Sequence, residues 1–298
     1  MKSLRILLSI TFISFLTGGI LTGCDGFLKE EKPVVEEKPA PSSNQDKQNN
    51  PDKDKNPPPA EKDQTSDQDK KDQRKDKEKD NPYANAAKVD PTTYHDEAIQ
   101  VVAEPKEIAI LVNKQYKLPD NYEPDDLVYP DVPFVFSEKI EKRKMRKEAA
   151  KALEKMFAGA EKDEIYLAGA SGYRSQETQM TVYNNYVNAD GKEEADRYSA
   201  RPGHSEHQTG LAIDLSGISA ECVIEDCFAD TAEAKWIADH AHEYGFIIRY
   251  PKDKENLTGY MYEPWHIRYI GKDLAKEIVE QDITLEEYYN VAIPVSEG

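Results

Sequence analysis

Cysteine is scarce in this chain, three in 298 residues, which excludes a disulfide-dense scaffold. Between Leu28 and Asp80 there is no aromatic side chain, while seven prolines and a majority of charged residues fill the segment. Such a stretch cannot bury enough apolar surface to offset chain entropy, so a globular fold is excluded for it. Long apolar runs are also missing. Ile6 to Ile20 is an apolar stretch, softened by Ser9, Thr11, Ser14 and Thr17, and is too short and too polar to cross a membrane comfortably. Basic residues are outnumbered, 39 against 57 acidic, for a formal charge of −18. Residues 81–298 alone hold 24 basic and 41 acidic side chains. A domain of that sign repels phosphate backbones, which argues against nucleic-acid binding.

What is present divides the chain into three. Lys2 and Arg5 precede the apolar stretch, and Leu21-Thr22-Gly23-Cys24 follows it. This order suits a secretory signal over residues 1–23, and the tetrapeptide resembles a bacterial lipobox. That resemblance implies a lipid on Cys24, which would anchor the protein to the outer face of a bacterial cytoplasmic membrane without spanning it. Residues 24–90 read as a disordered tether. As a coil, the 53 residues from Leu28 to Asp80 have a root-mean-square span of roughly 40 Å. Residues 91–298 are long enough for one domain with its own core, taken as a monomer.

Within that domain Glu107–Asn113 reads as extended, and residues 120–133 as loop. Ser137 is a candidate N-cap for a helix from about Glu138 to Phe157 ended by Gly159. Ile165–Ala168 reads as a strand running into Gly169-Ala-Ser-Gly-Tyr-Arg174, after which Ser175 caps a helix to about Asn188. Leu211, Ile213 and Leu215 alternate with Ala212 and Asp214 as in a strand. Asp230–Glu233 resembles a capping box for a helix to Tyr244, stopped by Gly245. Phe246–Tyr250 and Trp265–Tyr269 read as strands, Lys272–Glu280 as a helix and Leu285–Tyr289 as a final turn. The interleaving predicts an α+β fold, a single antiparallel sheet with packed helices.

Two of the six histidines sit in unusual company. The first is in Ser205-Glu-His207-Gln-Thr-Gly210-Leu-Ala-Ile-Asp214, the second in Glu263-Pro-Trp-His266. Pro264 forbids a regular helix through the second, so a helical HExxH site is excluded. His207, Asp214 and His266 offer two imidazoles and one carboxylate, three ligands for a tetrahedral zinc whose fourth position stays open. Glu263 is then a spare carboxylate beside the metal. A lone histidine near a strand is more often structural. His204, beside the Pro202-Gly203 turn, is read as a rim contact rather than a ligand, His240 and His242 as pointing to different sides of a helix and unable to share a metal, and His95 as solvated.

Ser-x-His-x-x-Gly-x-Ala-x-Asp followed by Glu-x-x-His resembles the zinc D-alanyl-D-alanine carboxypeptidases of the VanY type, peptidase family M15, a group that includes lipoprotein L,D-carboxypeptidases. The wider run Ser199 to Leu215, Ser171-Gly-Tyr-Arg-Ser175 and Tyr260-Met-Tyr-Glu-Pro-Trp-His266 carry the same resemblance, over roughly residues 107–290. It implies the hedgehog/D-Ala-D-Ala-peptidase-like fold and one zinc per chain on His207, Asp214 and His266. It further implies Glu263 as general base and Arg174 as the group that stabilises the carbonyl oxygen as charge develops. Ser205, Gln179 and Tyr250 match positions that line the peptide site in that family. The substrate implied is the peptidoglycan stem peptide, losing its C-terminal D-alanine in a D,D or an L,D reaction. Two alternatives stay open: a non-catalytic, zinc-stabilised wall-binding lipoprotein, and an endopeptidase that cuts crosslinks. The stretch after Leu215 departs from the family pattern. There Cys222 and Cys227, outside the cytoplasm and close in sequence, are expected to pair as a disulfide, with zinc thiolate as the alternative.

Overall fold

A computed structural model describes residues 81–84 and 89–291. The expected signal peptide, Cys24 with its expected lipid, and nearly all of the expected tether lie outside the described residues. Four strands make an antiparallel sheet: β1 (Leu167–Ser171), β2 (Ala212–Gly217), β3 (Phe246–Ile248) and β4 (His266–Tyr269), in the spatial order β1-β2-β4-β3. Two ladders of two residues per strand accompany it, Gln100–Val101 parallel to Tyr116–Lys117 and Leu127–Val128 antiparallel to Met145–Arg146. The α+β expectation of one antiparallel sheet therefore describes the main sheet, and these ladders are additions to it. The outer edge of β1 is covered by residues 133–135, where Gly169 donates to the Pro133 carbonyl and Val135 donates to that of Gly169. These two bonds occupy the middle of an edge that would otherwise be free to pair.

Helices α1 (Lys147–Lys162), α2 (Gln176–Asp190), α3 (Lys192–Tyr198), α4 (Ala232–His240), α5 (Glu255–Thr258), α6 (Lys272–Glu280) and α7 (Leu285–Tyr288) complete the domain. Helix α1 buries Ala149, Ala150, Leu153, Met156, Phe157 and Ala160, a stripe at three- and four-residue spacing. It packs on β1, α4 packs on β2 and β3, and α6 packs on β3. Leu211, Ile213 and Leu215 join this core at 0% exposure. The alternate residues of β2, Ala212, Asp214 and Ser216, are buried as well. The second face of β2 is thus also buried, and there the site is built.

Several local expectations shift. The helix expected from Glu138 starts at Lys147, with Arg146 rather than Ser137 at its N-cap. Residues 138–146 have good helix formers, but tertiary contacts claim their backbone. The Lys142 and Lys144 carbonyls accept from Gly172 and Tyr173, and Met145 pairs with Val128. Gly159 lies inside α1, where a Cβ would collide with the Tyr244 ring. Glu107–Asn113 forms no strand. Leu111 donates instead to Tyr83 Oη, and the Ile108 and Ile110 carbonyls accept from Arg268. Thr231, not Asp230, caps α4, accepting from Ala234. Helix α3 was not expected at all. Tyr83, assigned by sequence to the tether, packs edge-on against Tyr116 and Tyr289, which brings the start of the packed region forward from residue 91. By contrast, Ser175 caps α2 and α6 spans Lys272–Glu280, both as expected.

Candidate active site

The register of the sheet assembles the site. Asp214 in the middle of β2 lies directly opposite His266, the first residue of β4. A register shift in β1 places Ser171 opposite Asp214 on the other side, a local irregularity of the kind that re-aims a chain beside a site. His207 sits on a short 3-10 turn, Glu206–Thr209, that leads into β2. Gly210 closes that turn with φ 67°, a left-handed conformation in which a Cβ would press on Leu127 and Arg146. Gly172 has a different reason to be glycine. Its backbone runs against the Lys142 and Lys144 carbonyls, leaving no room for a side chain, and its own carbonyl reaches His207.

His207, Asp214 and His266 each offer a ligand atom within 4.8 Å of the others, and all three are buried. The His207 Nδ1–H donates to the Gly172 carbonyl at 2.8 Å, which turns Nε2 toward Asp214 Oδ2 at 3.4 Å. His266 is held the other way round. Its Nε2 faces Glu206 Oε2 at 3.4 Å and its Nδ1 faces Asp214 Oδ1 at 2.9 Å. The outward nitrogen of each ring is thus occupied and the inward one is aimed at a shared point. Two oriented imidazoles and a carboxylate suit a borderline-soft dication such as zinc, and second-sphere partners of this kind are what fix ligand tautomers. Burial pushes His207 down to about 3, so it stands as the neutral imidazole a metal needs. Burial would lower His266 too, but the Asp214 and Glu206 carboxylates outweigh it and raise it.

Glu263 approaches from the turn before β4, its Oε2 3.9 Å from His266 Nδ1. Burial raises its carboxyl to about 8. Arg174 stands across the same cavity. Its guanidinium donates to Gln179 Oε1 at 2.9 Å and to Ser171 Oγ at 3.2 Å. Gln179 uses its other end to donate to the Ala200 carbonyl at 2.7 Å. Both ends of this amide are engaged, so Gln179 braces Arg174 as well as lining the cavity. Tyr250 stacks on His266 with ring centroids 5.0 Å apart, and Ser205 is buried at the cavity wall. The cavity, about 140 Å³, brings together all eight residues singled out by sequence for catalysis, metal binding and substrate contact. Among the remaining histidines, His204 donates from Nδ1 to the Asn113 carbonyl and packs on Tyr94, and His240 lies against Trp236. Cys222 and Cys227 are joined as a disulfide, so the zinc-thiolate alternative is set aside.

Sequence reasoning missed the charges beneath the site. Glu206 Oε1 accepts from Arg249 Nε at 2.7 Å and from Arg268 Nη1 at 2.6 Å, and Arg249 also bonds Glu286 through both terminal nitrogens. All four side chains are at most 1% exposed. Burial would raise the Glu206 carboxyl, but the two guanidiniums overcome it and hold the group ionised. Two cations and two anions balance, the condition under which buried charges are tolerated. A signal was available: Arg268 alternates with Ile267 and Tyr269, which points it to the same face as His266.

Comparison with known proteins bears on this geometry. The VanY family, described as D-alanyl-D-alanine carboxypeptidase, matches residues 142–272. The putative carboxypeptidase YodJ of Bacillus subtilis (strain 168) is 53% identical over 193 residues, which are 65% of this chain and 71% of that protein. The solved structure of the LdcB LD-carboxypeptidase, described as revealing the basis of peptidoglycan recognition, superposes with a TM-score of 0.63 at 50% identity. That match covers 69% of this chain and 96% of the other. VanYB in complex with D-alanine-D-alanine gives a TM-score of 0.51 at 33% identity, covering 61% and 97%. The chain belongs to the VanY family of zinc-dependent D-alanyl-D-alanine carboxypeptidases.

Proposed function

We propose that this protein removes the C-terminal D-alanine from peptidoglycan stem peptides. The observation that carries this reading is the convergence of His207, Asp214, His266, Glu263 and Arg174 on one cavity. His207, Asp214 and His266 would hold the zinc, whose positive charge would polarise a carbonyl and acidify water. Glu263 takes the proton of the water that attacks the penultimate carbonyl carbon. As the new C–O bond forms and the C–N bond breaks, Glu263 delivers that proton to the departing amine of D-alanine. Arg174 donates to the carbonyl oxygen while it carries charge, and its permanently protonated guanidinium needs little rearrangement to do so. Tyr250 and Ser205 line the peptide's path, and Gln179 holds Arg174 in place.

The similarity to LdcB supports a tetrapeptide stem, cut in an L,D reaction, as the first substrate to try. Incubation of the zinc-loaded protein with defined tetrapeptide and pentapeptide muropeptides, read by mass, tests both. Loss of one alanine from the tetrapeptide identifies an L,D-carboxypeptidase, and loss from the pentapeptide alone identifies a D,D-enzyme. If neither peptide is shortened, the reading fails. The same proposal includes a lipid on Cys24 and action outside the cytoplasm, supported by the lipobox-like Leu21–Cys24. Metabolic labelling with a fatty-acid probe should mark the wild type and not Cys24→Ser; equal labelling refutes the anchor.

A further inference from the structure

The segment that follows β2 returns to the catalytic cavity. After β2 the chain turns through residues 218–227, and the Cys222–Cys227 disulfide closes a ring of six residues there. Both ends of the ring are pinned: Cys222 packs against the hydrophobic core, and Phe228, immediately after Cys227, is 0% exposed. Ile224, inside the ring, lines the same cavity as Arg174, His207 and Glu263. Its backbone is left-handed, with φ 57°, as it is at Cys222 (54°) and Ala220 (56°). For a β-branched residue this conformation is a true outlier, and such strain collects at sites where it serves a purpose. Ile224 also remains 42% exposed. A solitary exposed isoleucine is ordinary on any surface. A strained one, held by a disulfide against a catalytic cavity, calls for another explanation.

The cavity's chemistry suggests one. Its floor is polar, made by the metal-ligand cluster, Glu263 and Arg174. Its flank is apolar: Val182 and Tyr186 from α2, with Tyr186 packed edge-on against Tyr198 of α3, and Ile224 from the ring. A stem peptide offers polar amides to the floor and alkyl side chains to such a flank. We propose that Ile224 is a specificity residue that contacts the alkyl side chains flanking the scissile bond, and that the Cys222–Cys227 ring acts through it as a positioning device. This inference rests on the stem-peptide reading above.

Steady-state kinetics of the full-length, zinc-loaded protein on its preferred muropeptide provide the test. Ile224→Ala should raise KM about 5-fold with kcat within about two-fold, the scale expected for losing one or two partly covered methyl or methylene contacts. Ile224→Val should keep the wild-type KM. The paired change Cys222→Ser with Cys227→Ser should also raise KM, yet add less than about two-fold when Ile224 is already Ala, because coupled positions are not additive. Equal KM values for wild type and Ile224→Ala overturn the specificity role. An effect of the cysteine pair that is the same with Ile or Ala at position 224 overturns the positioning role, even where thermal stability falls. A wild type that shortens no muropeptide removes the stem-peptide reading and this inference together, a result distinct from active wild type with flat KM values.

Discussion

Glu206 and His266 meet beneath the metal-ligand cluster, Oε2 facing Nε2 at 3.4 Å, while the other oxygen of Glu206 receives Arg249 and Arg268. One carboxylate therefore orients a metal ligand and bridges two buried guanidiniums, sharing their charge with Glu286. Glu206→Gln keeps the shape and removes the charge. Zinc affinity should fall by about 10- to 100-fold, as for loss of other second-sphere partners. Competition with a chromophoric chelator measures this. The metal-free chain should also lose about 3–5 kcal/mol, because Arg249 and Arg268 are left with an uncompensated charge, and denaturant unfolding measures that. Unchanged zinc affinity contradicts the orienting role whatever the stability does.

Arg174→Lys leaves a cation near the cavity but removes the planar fork that bonds Gln179 and Ser171. A group that stabilises the developing oxyanion acts in the transition state, so kcat should fall about 100- to 1000-fold with KM nearly unchanged. Zinc content should match the wild type. A rise in KM at constant kcat would instead assign Arg174 to ground-state binding.

His204 gives the fold a pH dependence away from the metal ligands. It is 4% exposed, and its Nδ1–H donates to the Asn113 carbonyl at 2.8 Å. Burial lowers it from 6.5 to about 4. The unfolded chain therefore binds the proton first as pH falls, and stability rises with pH across this interval. The contribution is fully present above about pH 6.5 and is lost progressively toward pH 4, to a total of about 3 kcal/mol. Subtracting the unfolding free energies of His204→Asn from those of the wild type across this range isolates it. A difference that does not change with pH contradicts the assignment.

How much of this was legible in the sequence depended on how local the information was. His207, Asp214 and His266 were readable because a turn, a strand and a proline-broken approach to a second strand each carry a compact signal, and antiparallel register then brings Asp214 and His266 together. Helix α6 was readable as a continuous helical stretch, Lys272–Glu280. The start of α1 was not. Local propensity favours a helix from Glu138, and what prevents it is the demand of Gly172 and Tyr173 for the Lys142 and Lys144 carbonyls. The charge cluster was hidden for the same kind of reason. Glu286 lies 37 residues from Arg249, and Glu206 lies 62 from Arg268, so neither partner is visible from the other's neighbourhood. The role of Cys222 and Cys227 as a pair could be anticipated, whereas the placement of Ile224 against the catalytic cavity depends on the path of the loop.

The most direct measurement strips the full-length protein of metal with a chelator, restores zinc, and follows D-alanine release from a stem peptide at each stage, alongside Glu263→Gln. Release should vanish on stripping and return with zinc. The Glu263→Gln protein should bind zinc as the wild type does and turn over at least about 100-fold more slowly. Release that persists without metal, or a zinc-loaded Glu263→Gln protein as fast as the wild type, would contradict the assignment of this cavity as the site of a metal-assisted, carboxylate-driven hydrolysis.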